Sequence, residues 1–191
     1  MPRLWDATIE AHRSQVRDAI LETTSALVAE RGLLAVTMSQ IAEATGIGRA
    51  TLYKYFPDVP TILLAWHERQ ITAHLAQLTQ IRDQVGDPDA RLEAVLAAYT
   101  TLSQHGHGQD DSIIGLLHRD EHVAHAQQQV HNMIRELLAE AAAAGHARDD
   151  VPPEELATYC LHALSAARRL PTPEAIGRLV MLTVAAVRRP G

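Results

Sequence analysis

The chain has 191 residues, 47% of them hydrophobic but only 4% aromatic, with a formal net charge of −6. That length allows one large or two small domains with a substantial core, and an aliphatic, alanine-rich make-up points to packed helices. A single cysteine, Cys160, excludes an intrachain disulfide, the first residues lack the apolar core of a signal peptide, and no run approaches the ~18 apolar residues of a membrane helix, so a soluble, cytoplasmic protein without a membrane partner is expected.

Glycine and proline are few and fall between stretches of helical periodicity, which predicts an all-α fold of about nine helices. The first should run from His12 to Arg31, with Val16, Ile20, Thr23 and Leu27 on one face and Gly32 as its left-handed stop. Thr37-Met38-Ser39-Gln40 has capping-box spacing, Thr37 as N-cap and Gln40 at N3, and Val36 and Ile41 stand at hydrophobic-staple positions. The second helix should end at Thr45 before Gly46, and Ile47 or Gly48 should open a third. Ile41, Ala42, Ile47, Leu52 and Phe56 would pack these helices on the first. Pro57 ends the third, since the residue before a proline is pushed out of helical conformation.

A long fourth helix, Val59 to Gln84, would span roughly 40 Å. Ile62 and Trp66 mark one face near its start, and Leu64, Ile71, Leu75, Leu78 and Val85 mark another, so one helix serves two packing units. Asp87 as N-cap and Pro88 at N1 open a fifth helix with Leu92, Val95, Leu96, Tyr99 and Leu102 inward. The polar stretch Ser103 to Asp111 reads as a loop, and a short helix follows at Ile113 to His118. A helix from Glu121 to Ala144 should bury Val123, Val130, Ile134, Leu137 and Ala141. The last two helices, Pro153 to Leu170 and Thr172 to Arg188, carry broad apolar faces: Leu156, Cys160, Ala163, Leu164 and Ala167, then Ile176, Leu179, Val180, Val184 and Val187. The division expected is residues 1–58 and residues 59–191.

Thr37 to Phe56 is the most informative stretch. A helix-turn-helix needs a tight turn, a glycine past the first helix, an apolar residue after it, and a second helix with polar side chains along one face. Arg49 stands where an arginine reaches guanine in a major groove, Ala50 is small enough to meet a thymine methyl, and Thr51, Tyr53, Lys54 and Tyr55 can donate to phosphates. Lys54 is the chain's only lysine. Residues 1–58 hold six arginines and lysines against seven acids, so binding to double-stranded DNA must rest on a local patch with a weak nonspecific component. The alternative is a helical hairpin whose polar face is simply solvated, in a protein that does not bind DNA.

These residues resemble the DNA-binding domain of TetR-type transcriptional regulators: Gly32, Thr37, Ile41-Ala42, Gly46-Ile47, Thr51-Leu52-Tyr53, Phe56-Pro57 and Ile62-Leu63. The resemblance implies an N-terminal three-helix DNA-binding domain followed by a helical ligand-binding and dimerisation bundle. It implies phosphate contacts from Thr37, Thr51 and Tyr55, base-edge contacts from Arg49 and Ala50, Tyr53 along the backbone and adjacent bases, and Lys54 near the backbone. Two positions depart from the family pattern. Val59 stands where a phosphate-binding lysine is usual, and Gly48 where a serine or threonine usually caps the recognition helix. Arg13, Arg17 and Arg3 are the cations placed to compensate.

The resemblance further implies an unidentified small-molecule effector, release of a near-palindromic operator on binding it, and no cofactor. Trp66, His74, Tyr99 and Tyr159 are the candidate effector contacts; for each, packing or plain surface exposure is the bland alternative. The apolar last two helices suggest a homodimer in which each subunit gives two helices to a four-helix bundle. Eleven histidines include His118, His122 and His125, whose spacing would suit zinc on a helix. Helical angles place all three opposite Val123, Val130 and Ile134, so no metal site is expected, and a metal-responsive regulator using surface histidines is the alternative. No Ser/His/Asp, Cys/His or paired-carboxylate arrangement stands out, so an enzyme is not expected.

Overall fold

Residues 3–11 contain neither glycine nor proline, and nothing in them stops a helix. The first helix accordingly begins well before His12. The computed structural model describes residues 3–105 and 121–189, and eight α-helices run through them: α1 (Arg3–Arg31), α2 (Met38–Thr45), α3 (Arg49–Tyr55), α4 (Val59–Gln84), α5 (Pro88–His105), α6 (Glu121–Ala143), α7 (Pro153–Ser165) and α8 (Pro173–Val187). Short 3₁₀ turns occupy Leu33–Ala35 and Ala166–Arg169. The second replaces the last turn expected of α7. The only extended pairing among the described residues is an isolated antiparallel bridge between Ala147 and Arg188. The fold is all-α, as expected. The short helix expected at Ile113 to His118 lies outside the described residues, as does most of the expected Ser103 to Asp111 loop, although α5 itself runs on to His105.

The chain divides into two compact units, with Gln70 and Ile71 on either side of the break. The first holds α1, α2, α3 and the start of α4. Its core joins Ile20, Leu21 and Val28 of α1 with Val36, Ile41, Ala42, Leu52, Phe56, Val59, Ile62 and Leu63. The buried face of α1 is therefore turned from the one expected: Thr24 and Val28 are buried, while Thr23 and Leu27 are only half-buried. Thr24 tolerates burial because its hydroxyl donates to the Ile20 carbonyl at 2.8 Å, which removes the cost of an unpaired polar group. Arg69 of α4 is fastened to α1, its Nη1 donating to Asp18 at 3.1 Å and its Nη2 to Glu22.

The second unit packs α5, α6, α7 and α8 with the later part of α4. Leu78, Leu92, Val95, Leu96, Ile134, Leu137, Leu138 and Cys160 are among its buried residues. Helix α6 lies against both α5 and α7, so its buried stripe is wider than one face. Met133 and Leu138 join it, whereas Val123 and Val130 are only half-buried. Leu64, Ile71 and Leu75 of α4 belong to neither core. They occupy the stretch between Leu63 in one and Leu78 in the other, which corrects the continuous stripe expected there. The N-caps expected of α5 and α8 are present: Asp87 accepts from the Ala90 N–H at 2.8 Å and Thr172 from the Ala175 N–H at 3.2 Å.

The apolar stripes of the last two helices close onto this same core. Leu156, Cys160, Leu164, Val180, Val184 and Val187 are buried within the chain itself. The excess hydrophobicity read as an interface is in large part intrachain core. Tyr159, Met181 and Leu182 remain outside it, at 48%, 60% and 65% exposure.

Candidate nucleic-acid interface

The start of α2 is fixed by local chemistry alone. The Thr37 N–H donates to Gln40 Oε1 at 2.9 Å, and the Gln40 N–H donates to Thr37 Oγ1 at 3.4 Å. Both orphan donors of the capping box are thus satisfied. Val36 and Ile41, the staple pair, are both buried. At the other end Gly46 takes φ 71° and ψ 17°, a left-handed conformation that costs any residue with a Cβ. The Ile47 N–H reaches back to the Ala42 carbonyl at 3.1 Å, closing the six-to-one bond of a Schellman motif. Ile47 then packs against the core and sets the chain's direction into α3.

Helix α3 has no side-chain cap. Gly48 precedes it in extended conformation, and its carbonyl accepts from the Thr51 and Leu52 N–H groups at 2.9 and 3.0 Å. What holds α3 is apolar: Leu52 is fully buried and Phe56, the residue that ends the helix, is 2% exposed. With Leu52 and Phe56 facing in, the exposed side of α3 displays Arg49, Ala50, Thr51, Tyr53 and Lys54. Tyr55 is half-buried and packs against the core instead. Thr37 is exposed, but its hydroxyl already donates to Gln40 at 3.0 Å, so contact with phosphate requires that hydrogen bond to be shared or broken.

Pro57 ends α3, and the residue after it has a second role. Asp58 in fact caps α4. Its Oδ1 accepts from the Thr61 N–H at 2.8 Å and from the Thr61 hydroxyl at 2.6 Å. The side-chain bond from Thr61, then the backbone one, hold the Asp58 carboxyl below its ordinary value, because both favour the charged form. The signal was present as Asp58 followed three residues later by Thr61, with Pro60 in the first turn. Val59, where the family pattern has a lysine, is buried at 9% exposure.

The candidate effector contacts separate between the units. Trp66 packs on the core of the first unit, with its indole N–H buried and without a hydrogen-bond partner. His74, Tyr99 and Tyr159 belong to the second unit. His74 is half-buried, Tyr99 is half-buried against the core, and Tyr159 stands on the surface. Among the described residues no three His, Cys, Asp or Glu side chains are grouped to hold a metal ion. His118 and the side chain of His122 lie outside the described residues, and His125 is exposed. No described helix is long and apolar enough to cross a membrane.

A capped short helix, a glycine turn and a second helix with one apolar and one polar side define a helix-turn-helix protein. Residues 20–64 match the family described as bacterial regulatory proteins, tetR family, and residues 87–189 match the C-terminal domain of SbtR-like transcriptional regulators. The chain belongs to the tetR family of bacterial transcriptional regulators. A KstR2 transcriptional repressor of Mycobacterium tuberculosis is 30% identical over 93 residues, which is 49% of this chain and 46% of that protein. The chain spans about half the length of the curated relatives it matches. A TetR/AcrR regulator from Thermobifida fusca superposes with a TM-score of 0.71 at 20% identity, covering 91% of this chain and 98% of that one. AibR, solved with isovaleryl coenzyme A and operator DNA, superposes at 0.64 with 21% identity, covering 92% of this chain and all 100% of its own. At those identities the likenesses establish the fold.

Proposed function

We propose that this protein is a ligand-responsive repressor that binds a near-palindromic DNA operator as a homodimer and is released by a small molecule. The observation that carries the reading is the exposed face of α3, where Arg49, Ala50, Thr51, Tyr53 and Lys54 stand on a helix whose opposite side is sealed by Leu52 and Phe56. Arg49 and Ala50 are assigned to base edges, Thr51 to phosphate, Tyr53 to the backbone and neighbouring bases, and Lys54 to the backbone; half-buried Tyr55 is assigned to phosphate through the part that stays accessible, and Thr37 through a hydroxyl shared with Gln40. Residues 1–58 serve DNA binding, and residues 59–191 serve dimerisation and effector binding. The KstR2 relative is named a repressor, and AibR was solved with both an acyl-coenzyme A and its operator, which supports a repressor with a small-molecule effector here.

Dimerisation is assigned to the outward faces of α7 and α8. Tyr159, Met181 and Leu182 are exposed there, and Gly177 has no atom within 4 Å of where a Cβ would stand, so a second helix can approach closely. A two-fold axis would set two copies of α3 roughly 34–36 Å apart, one turn of DNA. An effector contacted by residues of the second unit such as His74 and Tyr99 would act by favouring an arrangement of α4 in which that spacing is lost, which requires unequal affinity for the two states. The test is nuclease footprinting of the DNA upstream of the protein's own gene. Wild type should protect a two-fold symmetric segment, and Arg49→Ala or Tyr53→Ala should protect nothing while sedimenting as the same dimer. A variant that protects the segment as wild type does would refute the assignment of α3.

A further inference from the structure

The arginines and lysine of the first unit whose side chains are described divide into two sets. Arg31 pairs with its neighbour Glu30, and Arg69 is taken up by Asp18 and Glu22. Arg13, Arg17, Arg49 and Lys54 are exposed and make no ion pair among the described residues. Arg49 and Lys54 lie on α3, and Arg13 and Arg17 on α1, one helical turn apart. At about 100° per residue, Arg13 and Arg17 fall within the angular span of Ile20, Leu21, Thr24 and Val28. The stripe of α1 that faces the core thus turns cationic toward its N-terminal end.

It does so at the edge of α3. The Arg17 guanidinium carbon stands 4.8 Å from the centroid of the Phe56 ring, and Phe56 ends α3 two residues after Lys54. A guanidinium held over a ring face is attracted through its charge, and its N–H groups not turned to the ring remain able to donate. A side chain held this way is already ordered, so less freedom is lost when it binds. The acid nearest in sequence, Asp18, is held by Arg69, and Asp58, two residues beyond Phe56, is held by Thr61. A cation that is exposed, pre-oriented and without a carboxylate is equipped for a phosphate.

We infer that Arg17 is a DNA-backbone clamp. Held over the Phe56 ring, it donates to a phosphate oxygen beside the C-terminal end of α3 and with Lys54 fixes the height of that helix in the groove. This rests on the DNA-binding reading of α3 and adds to it a contact from α1. It also accounts for how a unit with no side-chain cap at Gly48 and a buried Val59 anchors its reading helix.

The test uses the full-length protein and a fluorescein-labelled 40-base-pair duplex enriched from random-sequence DNA by the wild-type protein, with affinity read by anisotropy between 50 and 200 mM salt. One phosphate contact per subunit, two per dimer, makes wild-type affinity fall about tenfold more than that of Arg17→Ala across this range. Arg17→Lys keeps the charge and should keep the salt slope. Equal salt slopes for wild type and Arg17→Ala would overturn the inference. So would a lower melting temperature with reduced affinity at unchanged slope, which marks Arg17 as a packing residue. Failure of the wild type to enrich any duplex would refute the DNA reading itself, and the clamp with it.

Discussion

Asp58→Ala removes one carboxylate and leaves the Thr61 N–H and hydroxyl without the acceptor they share at 2.8 and 2.6 Å. Loss of an N-cap costs about 1 kcal/mol, or roughly 2–4 °C in melting temperature for a chain of this size. Asp58 is exposed, so its ionic part is screened by solvent and the capping geometry sets the magnitude. The Asp58 carboxyl is held below its ordinary value of 3.8 by the Thr61 bonds. A group depressed in the folded state contributes stability that is present above its unfolded value and is lost as pH falls through its folded value. The gap between wild type and Asp58→Ala should therefore be full at neutral pH and shrink once the pH drops below about 3.8. Asp58→Asn keeps an acceptor oxygen and should track wild type at neutral pH. Both tryptophans, Trp5 and Trp66, lie in the first unit, so tryptophan fluorescence during thermal or urea unfolding reports on the unit that Asp58 caps. A gap as large at pH 3 as at pH 7, or an Asn variant as damaged as the Ala variant, would refute the reasoning.

Gly46→Ala meets no neighbouring atom, so its cost is the backbone strain of φ 71°, about 1–2 kcal/mol; a variant whose fluorescence melt matches wild type contradicts this. Burial pushes the Cys160 thiol up to about 12, so a disulfide-exchange reagent at pH 8 should modify it only at the rate of unfolding, and immediate modification would place the thiol at the surface instead. Met181→Glu combined with Leu182→Glu puts two charges on the exposed face of α8. It should convert a wild-type dimer to a monomer by sedimentation without loss of helical circular dichroism, and a persistent dimer would move the interface elsewhere.

The parts of the fold legible in the sequence are those that local chemistry decides. The Thr37–Gln40 box, the Gly46 turn and the Asp87 and Thr172 caps each involve residues within three or four positions, and each stands where the spacing put it. Asp58 is equally local, yet it was hidden because the same residues also read as the end of α3. What pattern could not supply is which surface meets which. The stripes of α7 and α8 give an amount of apolar area, and only tertiary packing reveals that much of it closes within the same chain, α7 on α6 and α8 on α5 and α7, rather than on a second copy. Likewise, Arg69 finds Asp18 and Glu22 at separations of 51 and 47 residues, and Arg17 finds Phe56, pairings that no short-range spacing encodes. In the candidate interface, the exposed set on α3 was readable from the 3.6-residue period. The turning inward of Tyr55 was not, and neither was the donation of the Thr37 hydroxyl to Gln40 Oε1, a bond beyond the two of the capping box.

The central claim is that α3, presented twice by a dimer, reads DNA sequence. Enrichment of a random duplex library on the full-length protein tests it most directly. The account predicts recovery of an inverted repeat whose half-sites lie about one helical turn apart, with Arg49→Ala recovering none. Recovery of no common sequence, or the same repeat recovered by Arg49→Ala, would contradict it.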